Sequence, residues 1–238
     1  MHRSARVLFA RLPLPGKVKS RLANFLGEEE ALSIYKLLLN LQQDFFSYFE
    51  SHKFPGKNFV FLAPENLSLA KSRALFLKYA HINAQFFYQK TGDLGSKLLD
   101  CAKTLLKKFD QVIIWGADIP TLSEELFSQA YTSYPKNYLV PTQDGGYALI
   151  ALSRANFHEK IFDNIAWGGR QVFRQQVRNF QKYNLTYELG PKVMDLDLPQ
   201  DLLRLLQVSK KQNITPFWEK LLEKWLTVSS KNNPLNRG

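Results

Sequence analysis

Residues 7–27 read VLFARLPLPGKVKSRLANFLG, and the fold follows from this stretch. Val7–Ala10 is apolar throughout, too short for a helix and suited to a strand buried on both faces. Pro13, Pro15 and Gly16 then deny the chain regular structure. Lys17–Leu26 carries helix-compatible residues, and Gly27 stops them. Strand, turn and helix in this order form the opening unit of an α/β sheet.

The unit recurs along the chain. Glu28–Glu50 predicts a long helix with three glutamates at the positive end of its dipole. Leu32, Tyr35, Leu38, Leu39 and Phe46 mark its apolar face. Strands are predicted over Asn58–Ala63, Ala84–Tyr88, Gln111–Trp115, Tyr138–Pro141, Tyr147–Leu152 and Leu185–Leu189. Helices are predicted over Leu67–Tyr79, Leu94–Phe109, Ser123 to Ser133, Gly169–Tyr183 and Pro199–Val208. Alternation over most of the length predicts a mainly parallel central sheet covered on both faces, a single-domain three-layer α/β sandwich. Residues 1–209 form that domain. Residues 210–238 carry one amphipathic helix, with Trp218, Leu221, Leu222 and Trp225 on its apolar face, and a polar tail. That face suits packing on its own domain or on a second copy in a homodimer. A membrane surface fits less well, because the polar face carries both signs.

Composition bounds the function. The 238 residues are 45% hydrophobic and 22% charged, a globular balance rather than a disordered one. One cysteine, Cys101, excludes an internal disulfide framework and a multi-cysteine metal site. Its place among Leu98, Ala102 and Leu105 makes it a small core residue. Apolar runs such as Ala148–Leu152 fall far short of the roughly 18 residues of a membrane span. Val7–Ala10 is too short for a signal-peptide core. A soluble, cytoplasmic protein is expected. The net charge is +11, with six basic residues and no acid in residues 1–27. A second basic concentration lies beyond residue 201, and the middle of the chain is neutral, so no nucleic-acid-binding face spread over the domain is expected. Arg170, Arg174, Arg178 and Lys182 form a stripe that reads as a solvated helix face. The four histidines have no metal-ligand spacing.

Ligands of open α/β sheets bind beyond the C-terminal ends of strands. Four such ends carry distinctive chemistry. In Arg11–Arg21, four basic residues, Gly16 and Ser20 surround a strand-to-helix turn, where helix N–H groups and arginine forks suit phosphate. The G-x-x-x-x-G-K-[ST] spacing of a P-loop is missing. The plain alternative is a solvated basic loop. Asp118 in Gly116-Ala117-Asp118-Ile119-Pro120 follows a buried strand, where a carboxylate needs a partner or a metal, or else caps the turn. Asp144-Gly145-Gly146 lets backbone approach a ligand closely, and also reads as a hairpin turn. Asp195-Leu196-Asp197, if extended, places both carboxylates on one face; with Asp118 they would suit Mg²⁺ or Mn²⁺, and alone they would cap a helix. A basic cradle beside three acids is what a metal–diphosphate ligand requires.

The ordered segments FARLPLPGKVKSRLA, GDLGSKL, WGADIPTL, PTQDGGYALIAL and DLDLPQDL resemble the small bacterial glycosyltransferase-like proteins of the radical-SAM/selenodomain-associated, or arsenosugar-biosynthesis, type. The resemblance runs from about Arg6 to Leu206. It implies the GT-A fold, which phospholactate and molybdenum-cofactor guanylyltransferases share. It further implies that Arg11, Lys19 and Arg21 face the nucleotide phosphates, and that Gly92, Asp93, Leu94 and Gly95 lie near the base. Asp118, Asp195 and Asp197 would hold the metal. Asp144, Gly145, Gly146 and Trp167 would line the acceptor side. Gly168 and Gly169 depart from the more usual Trp-Ser/Thr pattern, and the pair suits a mobile lid or a plain helix-start loop. The function implied is metal-dependent glycosyl transfer from a nucleotide-diphosphate sugar, with Asp118 and Asp144 catalytic. The first rival is a nucleotidyltransferase that releases pyrophosphate. The second is a non-catalytic nucleotide- or nucleic-acid-binding protein.

Overall fold

A computed structural model describes residues 2–209. Its centre is β1 (Ser4–Ala10), flanked on one side by β2 (Gly56–Leu62) and on the other by β4 (Gln111–Gly116), both parallel to it. All three are buried almost end to end, so beyond the polar residues near their starts (Ser4, Arg6, Lys57, Asn58 and Gln111) their side chains are apolar without alternation, as both-face burial demands. β3 (Gln85–Tyr88), β5 (Asn137–Pro141), β6 (Tyr147–Ser153) and β7 (Tyr187–Leu189) complete a seven-stranded sheet in the order β3-β2-β1-β4-β6-β5-β7. Only β6 runs against the others, inserted by the hairpin from β5. The fold is a mixed α/β domain with a mostly parallel sheet.

Helices cover both faces. α2 (Glu28–Ser51), α3 (Leu69–Leu77) and α5 (Glu124–Thr132) bury one face around Leu8, Phe49, Trp115 and Phe127. α4 (Leu94–Leu106) and α6 (Val172–Lys182) bury the other around Val7, Cys101, Ile114 and Phe180. α1 (Ser20–Leu26) and α7 (Pro199–Ser209) join α2 in a smaller cluster that seats Leu196. Ser123 caps α5 as expected, accepting from the Leu126 amide. Among the described residues, no helix is long and apolar enough to cross a membrane. The predicted C-terminal amphipathic helix lies outside the described residues.

Three boundaries differ from the sequence reading. α1 begins at Ser20, not Lys17, because Lys19 adopts a left-handed φ of 50° and Gly16 one of 67°. α6 begins at Val172, not Gly169, and the loop before it turns at Gly168, whose φ is 84°. β7 holds three residues and starts at Tyr187, after a left-handed Asn184. The remaining predicted elements fall within a few residues of those found.

The buried Trp115 carries one polar atom into the core, and Gln42 of α2 meets it: indole Nε1 donates to Oε1 at 2.8 Å. Trp115→Phe keeps the apolar bulk but leaves that buried oxygen without a donor, a loss of about 1–3 kcal/mol. A urea midpoint should fall accordingly, and Gln42→Leu added to Trp115→Phe should recover part of the loss.

Candidate active site

The parallel strands end at one edge of the sheet, and β6 begins there because it runs the other way. This brings together residues 11–21, 117–118, 142–146 and 193–197. Two adjoining clefts open between them.

The first, about 610 Å³, is basic. Arg11, Lys17, Lys19 and Arg21 line it, with Gly16 and Ser20 between them, as the sequence predicts for the loop. Tyr35 fixes the loop's entry: its hydroxyl accepts from the Arg11 amide at 2.9 Å and donates to the Arg11 carbonyl at 3.1 Å. Burial pushes that phenol's pKa up, so it stays protonated as the second bond requires. Gly16 packs so close to the Glu28 carboxylate that a Cβ would sit 3.0 Å from it. α1 has only seven residues, so the positive character of the cleft comes from side chains rather than from a helix dipole.

Lys19 differs from expectation. Its side chain is 2% exposed, and its ammonium donates to Asp118 at 2.9 Å, Asp197 at 3.1 Å and the Leu196 carbonyl at 2.7 Å. Three donors meet three acceptors, so this ammonium does not face a phosphate. Burial alone would lower its pKa; the two carboxylates outweigh that and raise it.

This arrangement bears on the expected metal. Asp118 and Asp197 face each other across an ammonium, not an open space. Asp195 turns instead toward Asp144. The bridge from Thr142 to Val193 sets these two segments parallel, and two residues further on each carries its carboxylate into the second cleft. Among the described residues, no three acidic, histidine or cysteine side chains converge as a metal site. The residues as placed therefore do not fit a three-carboxylate metal centre, because Lys19 stands between Asp118 and Asp197, and Arg21 lies a further 3.8 Å from Asp197.

The second cleft, about 320 Å³, is acidic and aromatic. Asp118, Asp144, Asp195 and Asp197 line it with Tyr147 and Trp167. Leu196 is fully buried, while Asp195 and Asp197 on either side of it line the cleft. Asp195 has no ion-pair partner among the described residues. Desolvation, then the Asp144 charge, pushes its pKa up to about 6. Asp144 Oδ1 accepts from the Thr142 hydroxyl and, at 2.9 Å, from the Gly146 amide. Asp144-Gly145-Gly146 is thus both a hairpin turn and a cleft wall. Gly145 is required: a Cβ there would lie 2.1 Å from the Arg170 carbonyl. The loop through Gly168 and Gly169 presses against this turn, and Phe173 donates its amide to Gly145.

The segment expected near a base is only partly there. Gly92 lines neither cleft. Asp93 caps α4, accepting from the Ser96 amide at 2.8 Å, and Gly95 packs under Trp167, where a Cβ would meet the indole at 2.5 Å. These two residues border a separate recess on the far side of Trp167. Leu94 does reach both clefts, and Lys97, one turn on, lines the basic one. Lys97 and Gln89 escaped the sequence reading. Gln89 spans the β1 and β2 ends, donating its side-chain amide to the Phe61 carbonyl at 2.9 Å and to the Ala10 carbonyl at 3.4 Å.

Residues 53–169 match a family model described as an uncharacterized protein conserved in bacteria (DUF2064). No curated protein matches the chain. A solved protein of Desulfovibrio desulfuricans G20, provisionally described as a nucleotide-diphospho-sugar transferase, superimposes with a TM-score of 0.84 at 24% identity, over 97% of this chain and 98% of that one. The 4-diphosphocytidyl-2C-methyl-D-erythritol synthase of Anaerococcus prevotii DSM 20548 gives 0.53 at 12% identity, covering 87% and 98%. A cytidylyltransferase of Leptospira borgpetersenii serovar Hardjo-bovis (strain JB197) gives 0.51 at 13%, covering 98% and 95%. At these identities the likeness shows a shared fold, that of the nucleotide-diphospho-sugar transferase.

Proposed function

We propose that the chain is a transferase that takes a nucleotide-diphosphate sugar across the two clefts and passes the sugar to a hydroxyl acceptor. One observation carries this reading: the basic and the acidic cleft are contiguous, sharing Arg21, Leu94, Asp118 and Asp197 as a common wall. A diphosphate suits the first and a polyhydroxylated sugar the second, so one activated sugar spans both. The provisional description of the Desulfovibrio protein points the same way.

In this reading Arg11, Lys17, Arg21 and Lys97 bind the diphosphate. As the bond from the sugar's anomeric carbon to the β-phosphate oxygen breaks, its electron pair stays on that oxygen. The fixed cations stabilise the charge that develops there. Lys19 keeps Asp118 and Asp197 from opposing them. The acceptor oxygen bonds to the anomeric carbon and loses its proton on the acidic side. We assign that role to Asp144, whose Oδ1 is held by the turn and whose Oδ2 has no hydrogen bond among the described residues. Trp167 offers a face against which a sugar ring packs.

Nucleoside diphosphates and their sugars should raise the melting temperature in EDTA, with Mn²⁺ adding little. Absence of stabilisation by any nucleotide, with or without metal, would sink the reading. Product analysis separates the rival: a nucleoside diphosphate marks glycosyl transfer, whereas pyrophosphate marks nucleotidyl transfer. Arg11→Ala with Arg21→Ala removes two charge-assisted contacts of about 1.5–3 kcal/mol each, so nucleotide affinity should fall at least about a hundredfold. Titration calorimetry reads that change.

Lys19→Met should cost about 2 kcal/mol of stability in urea. This is below the roughly 3–5 kcal/mol of a fully buried pair, because Asp118 is 53% exposed and water screens it. Adding Asp118→Asn and Asp197→Asn should restore most of that loss, which a purely steric role for the lysine would not allow.

A further inference from the structure

A third cleft, about 550 Å³, lies at the opposite end of the sheet from the proposed active site. It opens between the C-terminal turn of α2, residues 52–55 and the starts of β2 and β3. Arg6 of β1 and Asn58 of β2 stand side by side in register at its floor.

Arg6 is 3% exposed, and no carboxylate lies within 4 Å of it among the described residues. Its contacts are a 3.4 Å hydrogen bond from Nη1 to the Phe54 carbonyl and the face of Phe49, 5.1 Å from the ring centroid. Its Nε–H has no partner among the described residues. Asn58 is 6% exposed; its amide nitrogen donates to Glu50 and to the Asn83 carbonyl, while its Oδ1 has no donor. A buried cation without a contacting carboxylate is costly, and buried polar atoms are almost always paired. Burial accordingly pulls the guanidinium's pKa down, with Glu50 opposing at longer range. The two unpaired atoms ask for opposite things: Arg6 for an acceptor, Asn58 for a donor. At the rim Lys53 and Lys57 outnumber Glu50.

We infer that this cleft is a second binding site, which takes a small oxyanion bearing a hydroxyl or N–H donor. The anion's oxygen accepts from Arg6 Nε–H, and its donor satisfies Asn58 Oδ1. Hydrogen phosphate and 2-hydroxycarboxylates meet both demands; chloride meets one. The volume exceeds what a single bridging water fills.

The site stands apart from the transferase reading, and its test is run where the phosphate cradle is disabled. Melting curves of the Arg11→Ala/Arg21→Ala protein are taken with inorganic phosphate, lactate or chloride at equal ionic strength. Phosphate or lactate should stabilise it at millimolar concentration, and chloride should not. Calorimetry shows which of the two sources binds more tightly. Arg6→Met should abolish the effect. In case that variant does not fold, Lys53→Glu, which changes only an exposed rim charge, should weaken binding about fivefold. Stabilisation no greater than that by chloride overturns the inference and leaves only water in the cleft. So does stabilisation unchanged in Lys53→Glu, or present in the parent and lost with the cradle arginines.

Discussion

One ammonium group joins the parts of this molecule that local structure leaves separate. Lys19 binds Asp118 at the end of β4 and both Leu196 and Asp197 in the segment before α7. Its partners in that segment lie 177 and 178 residues away in sequence. Closing so long a loop has an entropic cost that grows slowly with length, and a buried, fully satisfied ammonium opposes it. Two lesser ties run alongside. Thr121 exchanges hydrogen bonds with Met194, and Leu196 donates its amide to the Asp118 carbonyl. Leu196 is then fully buried against α1, α2 and α7. Without this strap the acidic cleft would lose one wall, and Asp195 would not stand opposite Asp144.

The same contact sorts the charges of the site. Four acids and five bases line the two contiguous clefts. Were they free to pair at random, the groove would be neutral throughout and would prefer no ligand. Lys19 engages both Asp118 and Asp197 between the two sides, with Arg21 3.8 Å from Asp197 at the shared wall. What remains is a basic side made of Arg11, Lys17, Arg21 and Lys97, and an acidic side made of Asp144 and Asp195. A groove polarised in this way has a direction, so an activated sugar can lie in it only one way round.

The fold was legible because its evidence is local. Short apolar runs bounded by Gly and Pro marked the strands, and the spacing of Leu32, Tyr35, Leu38, Leu39 and Phe46 marked α2. The site was legible in outline, since sheet topology obliges strand ends to meet. Its detail was not, for reasons specific to each residue. A left-handed lysine has no sequence signal, so Lys19 read as one more phosphate ligand. Asp144 meets Asp195 through a single bridge between Thr142 and Val193, which no periodicity announces. Lys97 lies on the second turn of a helix whose relevant face only packing defines. Asp93, by contrast, was open to a better reading: Asp three residues before Ser96, just ahead of an apolar helix, is a capping signal.

Arg6 shows how far burial can change the meaning of a residue. In a strand wet on one face, an arginine between Ala5 and Val7 would point to solvent. β1 is the central strand of a sheet covered on both faces, so there is no solvent side to point to. The six basic residues of the first 27 therefore divide among different tasks. Arg3 lies over Phe109 at the edge of the fold, and Arg6 is enclosed at one end of the sheet. Lys19 is enclosed at the other end, and Arg11, Lys17 and Arg21 are left to face a ligand. Two of these charges, Arg6 and Lys19, are almost fully buried, yet among the described residues only Lys19 has carboxylates within 4 Å. The asymmetry is physical rather than compositional. Among the described residues, the strand end rich in aspartate supplies its own answer to a buried cation, and the strand start does not. An external anion is the one partner that would make the two ends of β1 equivalent in charge balance.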